Sequence, residues 1–211
     1  MKVARGLLPA SLLVCVILAV SAGPARADVW PDYFLSEAFM ACPGPAWAVN
    51  CPAGDGAMLD EARDAYGSPV DATITLYLYD INYDPIDRYP ATDMWLEVVH
   101  DPIAICPGGT VADSDTDSNG MTTFSGPFPA GGCGWGVDVM IAGIPLIQPP
   151  LDLHFTSPDF DGNQVVDLTD VVLFAASYFG NYGDCFDLHH DGSVNLSDLV
   201  VLAEHWGHHC P

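Results

Sequence analysis

Apolar and polar residues repeat with two different periods along this chain, and the change between them falls near Pro149-Pro150. In the stretch from Val70, the residues Ile74, Leu76 and Leu78 point one way while Thr73, Thr75, Tyr77 and Tyr79 point the other. That is the period of a half-buried strand. Residues 94–99, 121–125, 137–142 and 151–155 are further strand candidates, separated by Gly, Pro and Asp turn signals. Short strands at this spacing predict an all-β sandwich over residues 70–156. Residues 28–69 read as a lead-in, with one or two helical turns at 33–40. Beyond the two prolines, acidic loops run into apolar helical patterns at 171–179 and 199–206, each ended by a glycine, Gly180 and Gly207. A small all-α unit is expected over 157–211.

The N-terminus changes what this chain is expected to be. Lys2 and Arg5 precede an apolar run at 7–20, and Ala25-Arg26-Ala27 supplies a small-x-small cleavage pattern, so residues 1–27 read as a signal peptide. The run is too short to span a bilayer, and no later stretch is apolar for long enough. Cys15, mid-run behind bulky Val14, is poorly placed as a lipid anchor. The expectation is a secreted protein, extracellular or at the cell surface. Removing 1–27 leaves Arg63 and Arg88 against 28 acids, a net charge of −26 without a single lysine. Such a surface repels nucleic acid and anionic lipid and attracts multivalent cations.

Six cysteines remain after cleavage, an even number that suits disulfides in an exported chain and allows fifteen pairings. Neighbourhood in the sequence favours Cys42–Cys51, Cys106–Cys133 and Cys185–Cys210. No CxxC pair and no Cys/His spacing supports zinc.

The acids are not scattered evenly. Residues 159–170 place oxygen side chains at positions 1, 3, 5, 9 and 12 of a twelve-residue calcium loop. Asp159, Asp161 and Asn163 would ligate by side chain, Val165 by its carbonyl, Asp167 through a water, and Asp170 would close the site from the following helix. Residues 187–198 repeat the pattern at an offset of 28: Asp187, His189, Asp191, Ser193 by its carbonyl, Asn195 and Asp198. The apolar position 8 of each loop, Val166 and Val194, is expected to pair the two loops through a short strand. Two Ca2+ ions are thus expected, the second less tightly held because neutral imidazole at His189 is a poor calcium ligand. Gln164 stands where the loop wants glycine, at a cost of about 1 kcal/mol.

The doubled loop-plus-helix of 157–211 resembles the type I dockerin, a two-calcium module that docks onto cohesin domains. The resemblance implies a cohesin-like protein, a cell-surface scaffold or an intramolecular partner, with recognition at loop positions 10 and 11: Leu168-Thr169 and Leu196-Ser197. Thr73 to Asp80, Pro85, and the Asp115–Gly120 run before Thr122-Thr123-Phe124 loosely resemble bacterial immunoglobulin-like domains of the invasin type, which implies a structural or adhesive module. The expected fold is therefore an immunoglobulin-like β-sandwich followed by a small all-α dockerin-like domain.

Several other features carry less. The acidic run 113–120 lacks a closing carboxylate at position 12 and reads as a β-turn. His189, His190, His205, His208 and His209 crowd the C-terminus, where an exposed polar tail competes with a transition-metal site. No Gly-x-Ser-x-Gly elbow, His-Glu-x-x-His helix or phosphate-binding glycine loop is present, and no residue is assigned a catalytic role. Trp95 and Trp135 are candidates for stacking on sugars, so a carbohydrate-binding accessory protein stands as the alternative to a structural one.

Overall fold

The computed structural model describes residues 29–101 and 103–211; the signal segment at 1–27 lies outside them. The strands run in chain order as β1 (Glu37–Met40), β2 (Ala46–Val49), β3 (Ala62–Arg63), β4 (Pro69–Val70), β5 (Ile74–Tyr77), β6 (Met94–His100), β7 (Ala104–Ile105), β8 (Met121–Phe124), β9 (Ala130–Gly131), β10 (Gly134–Ile141), β11 (Ile144–Pro145) and β12 (Leu151–Thr156). Two helices follow, α1 (Leu168–Tyr178) and α2 (Leu196–Glu204).

The strands form two main layers. One is the antiparallel sheet β1-β5-β8. The other runs β6-β10-β12-β2-β3-β4, with β11 folding back on β10 and a parallel pair where β12 meets β2. Their facing sides build one core. Ala38, Ile74, Leu76 and Phe124 of the small sheet share it with Leu96, Val137, Val139, Ile141, Leu153 and Phe155 of the large one, all buried. Ile74, Leu76 and Leu78 face inward as the period-two pattern requires.

The segment expected as a lead-in supplies β1 to β4, strands of both sheets, and 37–40 is extended rather than helical. Its alternation is easily missed because the inward positions of β2 are alanines, Ala46 and Ala48, that fit under β12.

The expected all-α domain does not form. Among the described residues there are two short α-helices, set in irregular loops, and their shared core is small: Val166, Phe174, Leu188 and Leu202 are its buried members. This segment is bolted to the sandwich instead. Disulfides join Cys106 to Cys210 and Cys133 to Cys185. Both replace the expected neighbour pairs. Cys210 donates its N–H to the Gln164 carbonyl at 3.2 Å, which puts the tail beside the first acidic loop rather than the second. Cys42 and Cys51 remain thiols. The third expected neighbour pair therefore does not form either.

Across the outer face of the large sheet stands a ladder of rings. Register places His100 beside Trp135, Trp135 beside His154, and His154 beside Trp47. Adjacent planes lie within 28° of each other, with centroids 3.8, 6.1 and 4.5 Å apart. His190 of the second acidic loop approaches the Trp47 end at 6.2 Å, so this loop rests on the ladder.

Candidate metal centre

Both acidic loops are built on the same hydrogen-bond skeleton. In the first, the Asp159 carboxylate at position 1 accepts from the N–H groups of Asn163 (3.1 Å) and Gln164 (2.8 Å). In the second, Asp187 accepts from Asp191 (3.2 Å) and Gly192 (2.8 Å), the matching positions 5 and 6. Position 12 repeats as closely. Asp170 accepts from Phe160 (2.7 Å), from Asp161 (3.4 Å) and from Asp167 (2.8 Å), and Asp198 from His189 (2.8 Å) and Asn195 (2.7 Å). One part of this is helix capping: Asp167 and Asn195 are N-caps, and Asp170 and Asp198 close capping boxes. Capping occupies one oxygen of each closing carboxylate. The other oxygen reaches back across the loop.

Asp159, Asp170, Asp187 and Asp198 are all at most 1% exposed. Among the described residues no ion pair reaches any of them. Burial pushes the Asp159 carboxyl up to about 6 and raises Asp170 and Asp198 above the usual carboxylate range. Removing a carboxylate from water without a counter-charge costs several kcal/mol, and a cation in each loop would offset that cost.

The first loop fits such a cation better. Carboxylate oxygens of Asp159, Asp161 and Asp170 lie within 4.8 Å of one another, inside the ~5 Å that two oxygens bound to one calcium at 2.3–2.6 Å can span. Asn163 follows on the same turn, its N–H held by Asp161 at 3.1 Å. Gln164 has φ of 72°, the left-handed conformation that position 6 demands, and its side-chain amide donates to the Ile105 carbonyl at 3.2 Å. In the second loop Gly192 takes that position with φ of 85°. There Asp191 accepts from the Asn195 amide and Asp187 from the Tyr182 hydroxyl, while His189 Nδ1 is buried without a partner. Val165 and Ser193, expected to ligate through carbonyls, occupy position 7 of their loops; the Ser193 carbonyl accepts from Asn195 at 3.2 Å.

The expected pairing of Val166 with Val194 is replaced by another. Val166 donates to the His208 carbonyl (2.8 Å) and accepts from Gly207 (2.9 Å), with Val165 bridged to His209. The tail after α2 takes the place of a partner loop. The 113–120 run ends in a turn: Gly120 donates to the Asp117 carbonyl at 2.9 Å and the Asp117 carboxylate accepts from Asn119 and Met121, while Asp115 accepts from Ala91 and Asp113 from Ser125.

Leu168 and Leu196, the position-10 residues, are 67% and 64% exposed. Val172 and Val200, one turn further along each helix, are also exposed. Each helix therefore buries one apolar side and leaves a second in solvent.

No family model matches the chain, and no curated protein matches it. Among solved structures it is similar to the Lin-41 filamin domain, at 16% identity and a TM-score of 0.29 over 58% of this chain and 95% of that one. A superposition that loose does not bear on the topology, which rests on strand register. The two disulfides suit an oxidising environment. Among the described residues no helix is long and apolar enough to cross a membrane.

Proposed function

We propose that this is a secreted calcium-binding structural protein, whose two loops each hold a Ca2+ ion and fix the helices as a docking face for a protein partner. One observation carries the reading: the same cradle occurs twice, at an offset of 28, around buried carboxylates that no ion pair reaches among the described residues. Asp159, Asp161, Asn163, the Val165 carbonyl, Asp167 and Asp170 would hold the first ion. Asp187, Asp191, the Ser193 carbonyl, Asn195 and Asp198 would hold the second, with His189 the weak member. The bound ion supplies positive charge that neutralises the carboxylates; the chain orients the ligands through its own N–H groups.

The exposed Leu168/Val172 and Leu196/Val200 pairs support the docking half of the reading, because solvent-facing apolar residues at matched positions invite a cover. A polysaccharide partner is less well supported. Rings that bind sugar present a free face, whereas the His100–Trp135–His154–Trp47 rings stack on one another.

Calorimetric titration of the whole chain with calcium tests the first half. Two binding events are expected, the tighter lost in Asp170→Ala and the weaker in Asp198→Ala. Absence of calcium binding would refute it. Surface plasmon resonance against an immobilised type I cohesin tests the second half. Calcium-dependent binding lost in Leu168→Asp or Leu196→Asp is expected, and no binding of the wild-type chain would reject a cohesin partner.

A further inference from the structure

The end of α2 meets the sandwich at a group of side chains that calcium chemistry does not use. Cys51 follows β2, Asp55 lies four residues on, and His205 and His208 sit at and just beyond the end of α2. One donor atom from each of the four lies within 4.8 Å of the other three. The Cys51 Sγ is 3.6 Å from His208 Nδ1, and the nearer Asp55 oxygen is 3.1 Å from the same nitrogen. The His205 and His208 rings are 5.3 Å apart at 85°.

We propose that Cys51, Asp55, His205 and His208 form a tetrahedral site for a zinc-class divalent cation, distinct from the calcium loops, which pins the segment after α2 to the sandwich.

The dimensions suit the ion. Zinc–sulfur bonds of ~2.3 Å and zinc–nitrogen bonds of ~2.0 Å at tetrahedral angles separate sulfur from nitrogen by about 3.5 Å and nitrogen from oxygen by about 3.3 Å. The donor set suits it too, because a thiolate and two imidazoles select the zinc class over calcium, which takes oxygen. His205 is already oriented: its Nδ1 lies 2.8 Å from the Val201 carbonyl, so Nδ1–H donates there and Nε2 keeps its lone pair for a metal.

A hydrogen-bonded Cys-His-Asp relay explains the geometry less well. In a relay the thiol and the carboxylate engage opposite ring nitrogens. Here both face Nδ1 of His208, which carries at most one proton. Three groups converging on a common point is the arrangement of ligands around an ion. Cys51 is also the buried one of the two thiols that the two disulfides leave free among the described residues. An ion has a way in, since Asp55 is exposed and borders, with His205, a cavity of about 520 Å³.

The test uses the whole oxidised chain at saturating calcium, so that the loops are filled. Titration with zinc is expected to show one ion per chain, and cobalt to give a tetrahedral spectrum with a sulfur-to-metal charge-transfer band. His205→Gln and Asp55→Asn, both at solvent-accessible positions, should weaken zinc binding by at least about tenfold. Cys51→Ser should abolish the charge-transfer band. Zinc affinity unchanged in His205→Gln and Asp55→Asn would overturn the site whatever Cys51→Ser does to folding. So would an octahedral cobalt spectrum without the sulfur band, or a Cys51 found in a disulfide.

Discussion

Gly131 on β9 lies against the carboxylate of Asp159, so close that a Cβ at this position would run into its Oδ2. The sandwich and the first acidic loop thus share one volume, and Gly132 donates to the Asp159 carbonyl at 2.7 Å beside it. Gly131→Ala should displace the Asp159 side chain and abolish the tighter calcium event while the second loop still binds. Calorimetric titration separates the two; retention of both events would show that the loop can shift away from β9.

At Gln164 two small effects oppose each other. The left-handed backbone costs a non-glycine residue about 1 kcal/mol, and the side-chain bond to Ile105 returns about 0.5–1.5 kcal/mol. Gln164→Gly should therefore change stability by less than about 1 kcal/mol. Gln164→Ala loses the bond and keeps the strain, so it should fall about 1 kcal/mol below Gln164→Gly in urea melts at saturating calcium.

Acid should affect the calcium-loaded and calcium-free chains differently. Burial lowers His190 from 6.5 to about 4. The unfolded chain takes up this proton below pH 6.5 while the folded chain refuses it until about 4, so stability falls as pH drops through that window. Asp159 has the opposite sign. Burial raises it from 3.8 to about 6, so the folded chain takes up a proton first, and stability rises as pH falls between those values. In the chelated chain Asp159, with Asp170 and Asp198 raised in the same direction, opposes the His190 loss. Bound calcium keeps these carboxylates ionised, which leaves the His190 loss unopposed. Melting temperatures from pH 6.5 to 4 should therefore fall more steeply in calcium than in chelator, and parallel curves would contradict this opposition.

The two disulfides close separations of 104 and 52 residues. Replacing Cys106 and Cys210 together by alanine should cost about 2–5 kcal/mol, since long closed loops restrict the unfolded chain most. A non-reducing peptide map should recover 106–210 and 133–185 as linked peptides.

What the sequence revealed follows from physics that is local. Ile74, Leu76 and Leu78 declare their strand because period two is written in consecutive side chains, and Asp159 to Asp170 declare their loop because its donors follow one another in order. The two-residue strands Ala62–Arg63 and Pro69–Val70 are too short to carry any period. Cysteine pairing depends on where remote segments meet: Cys210 is taken to Cys106 by the return of the tail along Val165 and Val166, which no spacing encodes. The same return, by bringing His205 and His208 to Cys51, turns an apparent polar tail into half of a side-chain cluster. The repeat suggested a self-contained pair of loops; the docking of Val166 on residues 207 and 208 shows that the first loop looks elsewhere for its strand partner.

That partner choice sets an order of assembly. During synthesis the first acidic loop emerges well before Gly207 and His208, yet it cannot complete its backbone pairing until they arrive. A ribosome paused within α2 would hold a chain in which every carboxylate of the first loop is present but its closing strand is not. Arrival of residues 207 and 208, rather than appearance of the ligands, would then be the event that shuts the loop.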